Sequence, residues 1–149
     1  MMKHLRKLAL LLVLVTTTCF YSCSVEDPEI TPDNAELILG KWQFENGTYQ
    51  VISDDTWFQE YAQETYGHFN EYLAGVIFDF KTDNELFMVF PGNTEACSYS
   101  LDGDQLSFEG EDYTIKTLTN DSLVFSWSSD TIYVNYVSGI VIQTYYFKR

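Results

Sequence analysis

The chain has 149 residues, of which 22 are acidic and 8 are basic, and its formal net charge is −14. This length is typical of one domain with a single hydrophobic core. Because a chain this acidic repels phosphate backbones, its composition excludes nucleic acid as a partner.

Residues 1–22 have the features of a secretory signal peptide. Lys3, Arg6 and Lys7 form a cationic start, and every residue from Leu8 to Val15 is apolar. A membrane-spanning helix needs about 20 apolar residues, so this run is too short to span a bilayer and suits an export signal.

The signal ends on the residues Phe20, Tyr21, Ser22 and Cys23, which resemble the lipobox of bacterial lipoproteins. In that family a small residue precedes a cysteine that is lipidated and becomes the mature N-terminus. The resemblance implies that acylated Cys23 anchors the protein to a lipid bilayer of a bacterial cell envelope, on the periplasmic face of the outer membrane or at the cell surface. Lipidation of Cys19 and an uncleaved N-terminal anchor remain as alternatives.

Residues 23–33 form a polar, acidic tether that is interrupted by Pro28. At its end, Thr31 followed by Pro32 predicts the start of a short helix with Thr31 as the N-cap. We expect this helix to end at Gly40, where the folded domain continues with its first strand.

From residue 76 onward, apolar and polar residues alternate, which is typical of strands that bury one face. Turn sequences rich in Asp, Asn and Gly separate the alternating runs at short intervals. Connections this short allow a meander and leave little room for the crossovers of a Greek key. We therefore predict that residues 34–149 form an all-β domain, an up-and-down antiparallel barrel.

The segment from Asp54 to Gly75 departs from this alternation. Its apolar residues recur at spacings of three and four, which predicts an amphipathic helix between the first two strands. Thr56 and Gln59 have the spacing of a capping box, and Gly67 weakens the helix in its middle. We expect this helix to act as a lid over the open mouth of the barrel.

Four features follow one another along residues 34–149: Gly40-x-Trp42 after a short helix, the hairpin Tyr99–Leu106, the run Tyr113–Thr119 leading into Ser122–Phe125, and the ending Tyr145–Arg149. Together they resemble bacterial lipocalin-like lipoproteins. The resemblance implies that Gly40 opens the first strand and that Trp42 plugs the closed end of the barrel. It also implies that Arg149 or Lys148 packs over the Trp42 ring.

The number of strands refines this prediction. The sequence indicates nine strands, whereas a closed antiparallel barrel with simple hairpins needs an even number. An odd number would place the first and last strands parallel. We therefore expect about eight strands in the ring and one extra hairpin outside it, at Thr131 to Ile142, before a last strand from Thr144 to Arg149.

The residues needed for catalysis or for holding a metal are scarce. After removal of the signal, His68 is the only histidine, and Cys97 is the only thiol besides the acylated Cys23. One histidine and one thiol cannot form a structural zinc site, and no nucleophile-elbow glycine pattern accompanies a Ser–His–Asp arrangement. We expect no catalytic residue, metal or other cofactor, and predict that the protein is not an enzyme.

The up-and-down path predicts which inward residues lie near the open end. Apolar, aromatic walls around a mouth are typical of small-molecule sites, so we expect a small lipophilic ligand there. The predicted ligand-lining residues come from the strands and from the helix: Phe78, Phe90, Phe108, Tyr113, Trp127, Trp57 and Tyr61.

A second interpretation stays open, because eight-stranded barrels either hold one small ligand or are filled by their own side chains. A filled barrel would serve as an interaction module at the cell envelope that binds protein or glycan. Its contact residues would be Tyr133, Tyr136, Tyr145 and exposed aromatic residues of the helix.

Overall fold

A computed structural model describes residues 33–149, and the predictions for the signal peptide, Cys19, Cys23 and Thr31 lie outside the described residues. The elements are α1 (Asn34–Leu37), β1 (Gly40–Ile52), α2 (Thr56–Tyr66), α3 (Phe69–Leu73), β2 (Ile77–Phe80), β3 (Glu85–Phe90), β4 (Asn93–Asp102), β5 (Gln105–Phe108), β6 (Glu111–Leu118), β7 (Ser122–Ser128), β8 (Ile132–Val134) and β9 (Val137–Lys148). Within residues 33–149, no helix is long and apolar enough to cross a membrane.

Eight strands close into an antiparallel barrel in the order β1-β2-β3-β4-β5-β6-β7-β9, and β9 pairs back with β1. The one strand outside the ring of the described chain is β8, which pairs only with the start of β9. The prediction of an up-and-down barrel with one extra hairpin is thereby confirmed. The last strand begins earlier than predicted, at Val137, because its first residues pair with β8 and its next residues, Ile140 to Ile142, pair with β1.

The short helix α1 begins at a different cap from the one predicted. Asp33 is its N-cap, and the Asp33 carboxylate accepts a hydrogen bond from the Ala35 amide. Ile38, just after the helix, is fully buried, and its carbonyl accepts a 2.7 Å hydrogen bond from the indole Nε1 of Trp42. The helix therefore supports Trp42 at the start of β1.

The closed end of the barrel is densely packed. Trp42, Leu86, Leu106 and Leu123 are all fully buried there, and Leu101 is partly buried against them. Above them, the Phe78 ring contacts the rings of its neighbours, the nearest being Phe147 at 4.8 Å between centroids. This half of the barrel is thus filled by its own side chains.

The segment between β1 and β2 forms two helices and not the single helix predicted. Gly67 and His68 separate them, at the glycine that weakens the helix. The N-cap of α2 is Asp55, whose carboxylate accepts a 3.0 Å hydrogen bond from the Phe58 amide, and not Thr56 as predicted. Asp55 takes this role because it is the last extended residue before the first helical turn.

Helix α2 packs on the parts of β1 and β9 that extend beyond the pairing of β1 with β2. Phe58 and Ala62 are fully buried there with Val141, beside Val51. A Cβ atom at Gly139 would overlap the Phe58 ring, so glycine is what allows the helix to approach the strand this closely. The approach fixes α2 beside the mouth of the barrel and leaves α3 above it.

Candidate functional site

A cavity of about 180 Å³ lies at the end of the barrel away from Trp42. Its walls come from seven strands, from the turn between β5 and β6, and from α3. Most of the lining side chains are apolar or aromatic: Leu73, Phe78, Met88, Phe90, Glu95, Phe108, Glu109, Tyr113, Phe125 and Tyr145. Here the side chains of the barrel leave part of its interior open.

Four aromatic rings make one continuous wall of the cavity. The rings of Phe108 and Tyr113 stack at 4.4 Å between centroids, with 8° between their planes. Phe125 meets Tyr113 edge-on at 5.3 Å and lies 5.3 Å from Tyr145. These contacts hold each ring in place, so the wall is formed before any ligand enters.

Two tyrosine hydroxyls add polar groups to this wall. Burial, helped by the nearby Glu111 carboxylate, raises the pKa of Tyr145 to about 12. Burial, then Tyr145, Glu111 and Glu109, raise the pKa of Tyr113 well above its ordinary value. The Tyr145 hydroxyl donates a 2.8 Å hydrogen bond to the Gln143 side-chain oxygen. Both tyrosines therefore stay neutral at physiological pH.

The rim of the cavity is acidic. Glu95 pairs across the strands with buried Met88, and Glu111 pairs with buried Phe108, so both glutamates are on the inward face of the sheet. Glu109 lies in the turn between β5 and β6, with a φ of 53°. The opening of the cavity is therefore lined by carboxylates, and the walls below it are lined by apolar and aromatic side chains.

Helix α3 lies over the cavity, where Leu73 contributes to the lining. The Phe69 ring meets the Tyr145 ring edge-on at 5.5 Å. The Asn70 side chain bonds to β1, accepting from the Gly47 amide at 2.6 Å and donating to the Gly47 carbonyl at 2.9 Å. None of the residues of α3 is buried, and its N-cap lacks a side-chain hydrogen bond.

The predicted lining residues fall into two groups. Phe78, Phe90, Phe108 and Tyr113 line the cavity, whereas Trp127, Trp57 and Tyr61 do not. The Trp127 indole instead donates a 2.8 Å hydrogen bond to Glu111 at the rim. Trp57 stacks on Tyr61 with centroids 5.8 Å apart, beside the barrel, because α2 packs on β9 and not over the mouth.

Six further residues line the cavity that were not among the predicted ones: Leu73, Met88, Glu95, Glu109, Phe125 and Tyr145. For several of them, the alternation of apolar and polar residues indicates an inward side chain. Phe125 lies two residues from buried Leu123, and Tyr145 two residues from buried Phe147. Glu109 has no such signal, because it lies in a turn.

The closed end holds the predicted Gly40, Trp42 and Arg149. Gly40 has a φ of 104°, which favours glycine, and Trp42 follows it in β1. The Arg149 guanidinium lies 4.1 Å from the Trp42 ring centroid. Lys148, the alternative partner of the ring, forms an ion pair with Glu45 instead. These residues close the barrel base, and none of them lines the cavity.

Among residues 33–149, no group of three or more histidine, cysteine, aspartate or glutamate side chains has a geometry that could hold a metal ion. Cys97 is a free, partly buried thiol, and burial next to Glu109 raises its pKa. Its protonated form is therefore favoured, and that form is a weak nucleophile.

No family model, curated protein or solved structure matches this chain significantly.

Proposed function

We propose that this protein is a membrane-anchored, lipocalin-like lipoprotein that binds a small lipophilic ligand in the open end of its barrel. The observation that carries the proposal is the aromatic cavity of about 180 Å³ beneath α3. An apolar cavity with few polar groups and a half-open mouth suits a small molecule whose polar end stays near solvent.

The size of the cavity limits the buried part of the ligand. Apolar cavities of about 150 Å³ in other proteins bind benzene. A volume of about 180 Å³ therefore suits one aromatic ring or a short alkyl chain. A longer ligand would extend past α3 into solvent.

In this proposal α3 moves to admit a ligand. The helix spans only Phe69–Leu73 and buries none of its residues, whereas α2 is held by fully buried Phe58 and Ala62. Elements with few buried contacts open at the lowest free-energy cost. In this proposal α3 is the movable part of the lid, and α2 is its fixed support.

The proposed anchor is Cys23, supported by the cationic start, the short apolar run and the Ser22-Cys23 pair. A change of Cys23 to Ala should move the protein from the membrane fraction to the soluble fraction, or leave an unprocessed precursor. Cys19→Ala is the matched control and should leave fractionation unchanged. A Cys23→Ala protein that is processed and stays membrane-bound would rule out this anchor.

Binding is tested with the mature chain, residues 23–149, carrying Cys23→Ser so that it stays unacylated. We expect 4-phenylbutanol to bind in an NMR titration. Leu73→Trp places a bulky indole ring in the cavity and should weaken binding at least tenfold. Tyr72→Trp alters the neighbouring α3 residue, whose side chain is 78% exposed, and should bind normally. Absence of binding to the unsubstituted chain would refute the proposal.

A second candidate function is an interaction module that binds protein or glycan. It is favoured by the β8–β9 hairpin, where the side chains of Tyr133 and Tyr136 are 78% and fully exposed. Tyr145, also predicted for this role, lines the cavity instead. A Tyr133→Ser, Tyr136→Ser variant should lose binding on a glycan array if this function holds, and it should keep binding to 4-phenylbutanol.

A further inference from the structure

We propose that the cavity selects ligands with a positively charged amine or ammonium group, held at the rim while the apolar part enters between the aromatic rings. This inference rests on the proposed ligand binding, and it adds the charge of the ligand. Three observations support it: the aromatic cavity, the carboxylates at its rim, and the absence of lysine and arginine from the described segments around the mouth.

Lysine and arginine are absent from the described segments that form the mouth of the barrel. The described segments that form this end, residues 50–77, 89–96, 107–113 and 126–140, contain neither lysine nor arginine. The four lysines and the arginine of the described chain lie on other parts of the strands or at the closed end: Lys41, Lys81, Lys116, Lys148 and Arg149. No lysine or arginine of the mouth could therefore pair with the carboxylate of a fatty acid.

The carboxylates closest to the ligand belong to the cavity itself. Glu95 and Glu109 line it, and Glu111 lies inward at the rim. Glu95 accepts a 3.0 Å hydrogen bond from the Asn93 side chain, and Glu111 accepts one from Trp127. An ionised carboxylate only accepts hydrogen bonds, so an ammonium donor satisfies its remaining lone pairs and an anion cannot.

The aromatic wall adds a second attraction for a cation. The faces of aromatic rings are negative, and a cation within about 6 Å of a ring centroid is attracted to them. Phe108, Tyr113 and Phe125 present such rings directly below the acidic rim. A ligand with an ammonium group near its ring or chain would meet both features in one pose.

Three probes with the same apolar body separate charge from hydrophobicity: 4-phenylbutylamine, 4-phenylbutanol and 4-phenylbutyrate. Their affinities for the mature Cys23→Ser chain are measured by NMR titration at pH 7 and low ionic strength. We expect the amine to bind at least tenfold more tightly than the carboxylate, with the alcohol between them. The difference should shrink in 0.5 M salt, because salt screens the charges at an open rim.

Matched variants identify the source of this preference. Glu95→Gln with Glu111→Gln keeps an acceptor oxygen at each site and should reduce the preference below threefold. Asp83→Asn with Asp102→Asn removes the same charge at the closed end and should leave the preference unchanged.

The outcomes also separate this inference from the proposed function. If the alcohol binds but the carboxylate binds as tightly as the amine, the charge selection is wrong and the ligand-binding function stands. An amine preference that survives the two glutamine substitutions would overturn the roles given to Glu95 and Glu111. If none of the three probes binds, both proposals fail.

Discussion

Asn70 in α3 bonds both the amide and the carbonyl of Gly47 in β1, at 2.6 Å and 2.9 Å. This pair of hydrogen bonds joins the lid to the wall of the barrel. Gly47 permits it, because a Cβ atom there would overlap the Phe69 ring. The contact is exposed to solvent, so it can break without uncovering a buried polar group.

Removing this contact should free the lid. In Asn70→Ala, we expect the amides of residues 69–73 to exchange hydrogen at least tenfold faster, because only Phe69 and Leu73 then hold α3. In the unsubstituted protein these amides should already exchange faster than those of Ile77–Phe80. Hydrogen exchange followed by mass spectrometry measures both.

The neighbouring Glu71→Ala is the matched control, since the Glu71 side chain is exposed and lies 3.6 Å from the His68 imidazole, away from the Gly47 contact. We expect its exchange to match that of the unsubstituted protein. If Asn70→Ala leaves α3 as protected as the central strands, then α3 does not behave as a lid.

The packing of Phe58 against Gly139 predicts a steric effect. Gly139→Ala should destabilise the domain by about 1–3 kcal/mol, because the added methyl group overlaps the Phe58 ring and α2 must shift. Urea unfolding measures the loss. The exposed neighbour Ser138→Ala should change stability by less than about 0.5 kcal/mol. An unchanged midpoint for Gly139→Ala would mean that α2 is not held at this strand.

The closed end depends on Arg149. Besides its position over the Trp42 ring, Arg149 donates hydrogen bonds to the carbonyls of Leu37 and Leu39. Arg149→Ala should therefore cost about 2 kcal/mol of unfolding free energy. Lys148→Ala removes an exposed ion pair with Glu45 and should cost under about 1 kcal/mol. Equal stability losses in the two variants would contradict the role given to Arg149.

The tyrosines of the cavity predict how stability depends on pH. An unfolded tyrosine ionises near a pKa of about 10, whereas the pKa of Tyr145 in the folded chain is about 12. Between these values the unfolded chain has lost a proton that the folded chain keeps. Stability is therefore full below about pH 10 and falls toward pH 12, by up to about 1.4 kcal/mol per pH unit for each such tyrosine.

Tyr145→Phe should make this loss smaller, as measured by urea unfolding at pH 9 and pH 11. The lost hydrogen bond to Gln143 lowers stability at both pH values, so the difference between them still reports the ionisation. Tyr133→Phe, at a side chain that is 78% exposed, should leave the pH-dependent loss unchanged. A loss in Tyr145→Phe as large as in the unsubstituted protein would contradict the burial argument.

The barrel could be predicted from the sequence because most strands show a period-two alternation of apolar and polar residues. Phe78 and Phe80, or Leu123 and Phe125, alternate with residues of the other face, and the face they share must be buried. The strand count then required one hairpin outside the ring, and β8 forms it.

The position of the helical segment could not be predicted in the same way. Its amphipathic pattern shows that one face of the helix is covered, but it does not show which part of the barrel covers that face. The site that receives Phe58 exists because Gly139, far away in sequence, lacks a side chain. Trp57 and Tyr61 were therefore predicted to line the cavity, although they lie beside the barrel. The choice of Asp55 over Thr56 as N-cap is a one-residue shift between two residues that can both cap a helix.

We expect a small lipophilic molecule to bind inside the open end of the barrel. The most direct measurement is a set of intermolecular NOEs between the phenyl protons of bound 4-phenylbutanol and the side chains of the mature Cys23→Ser chain. We predict NOEs to Phe78, Phe108 and Tyr113, which line the cavity. NOEs confined to Trp57, Tyr133 or Tyr136, whose side chains are exposed outside it, would contradict the claim.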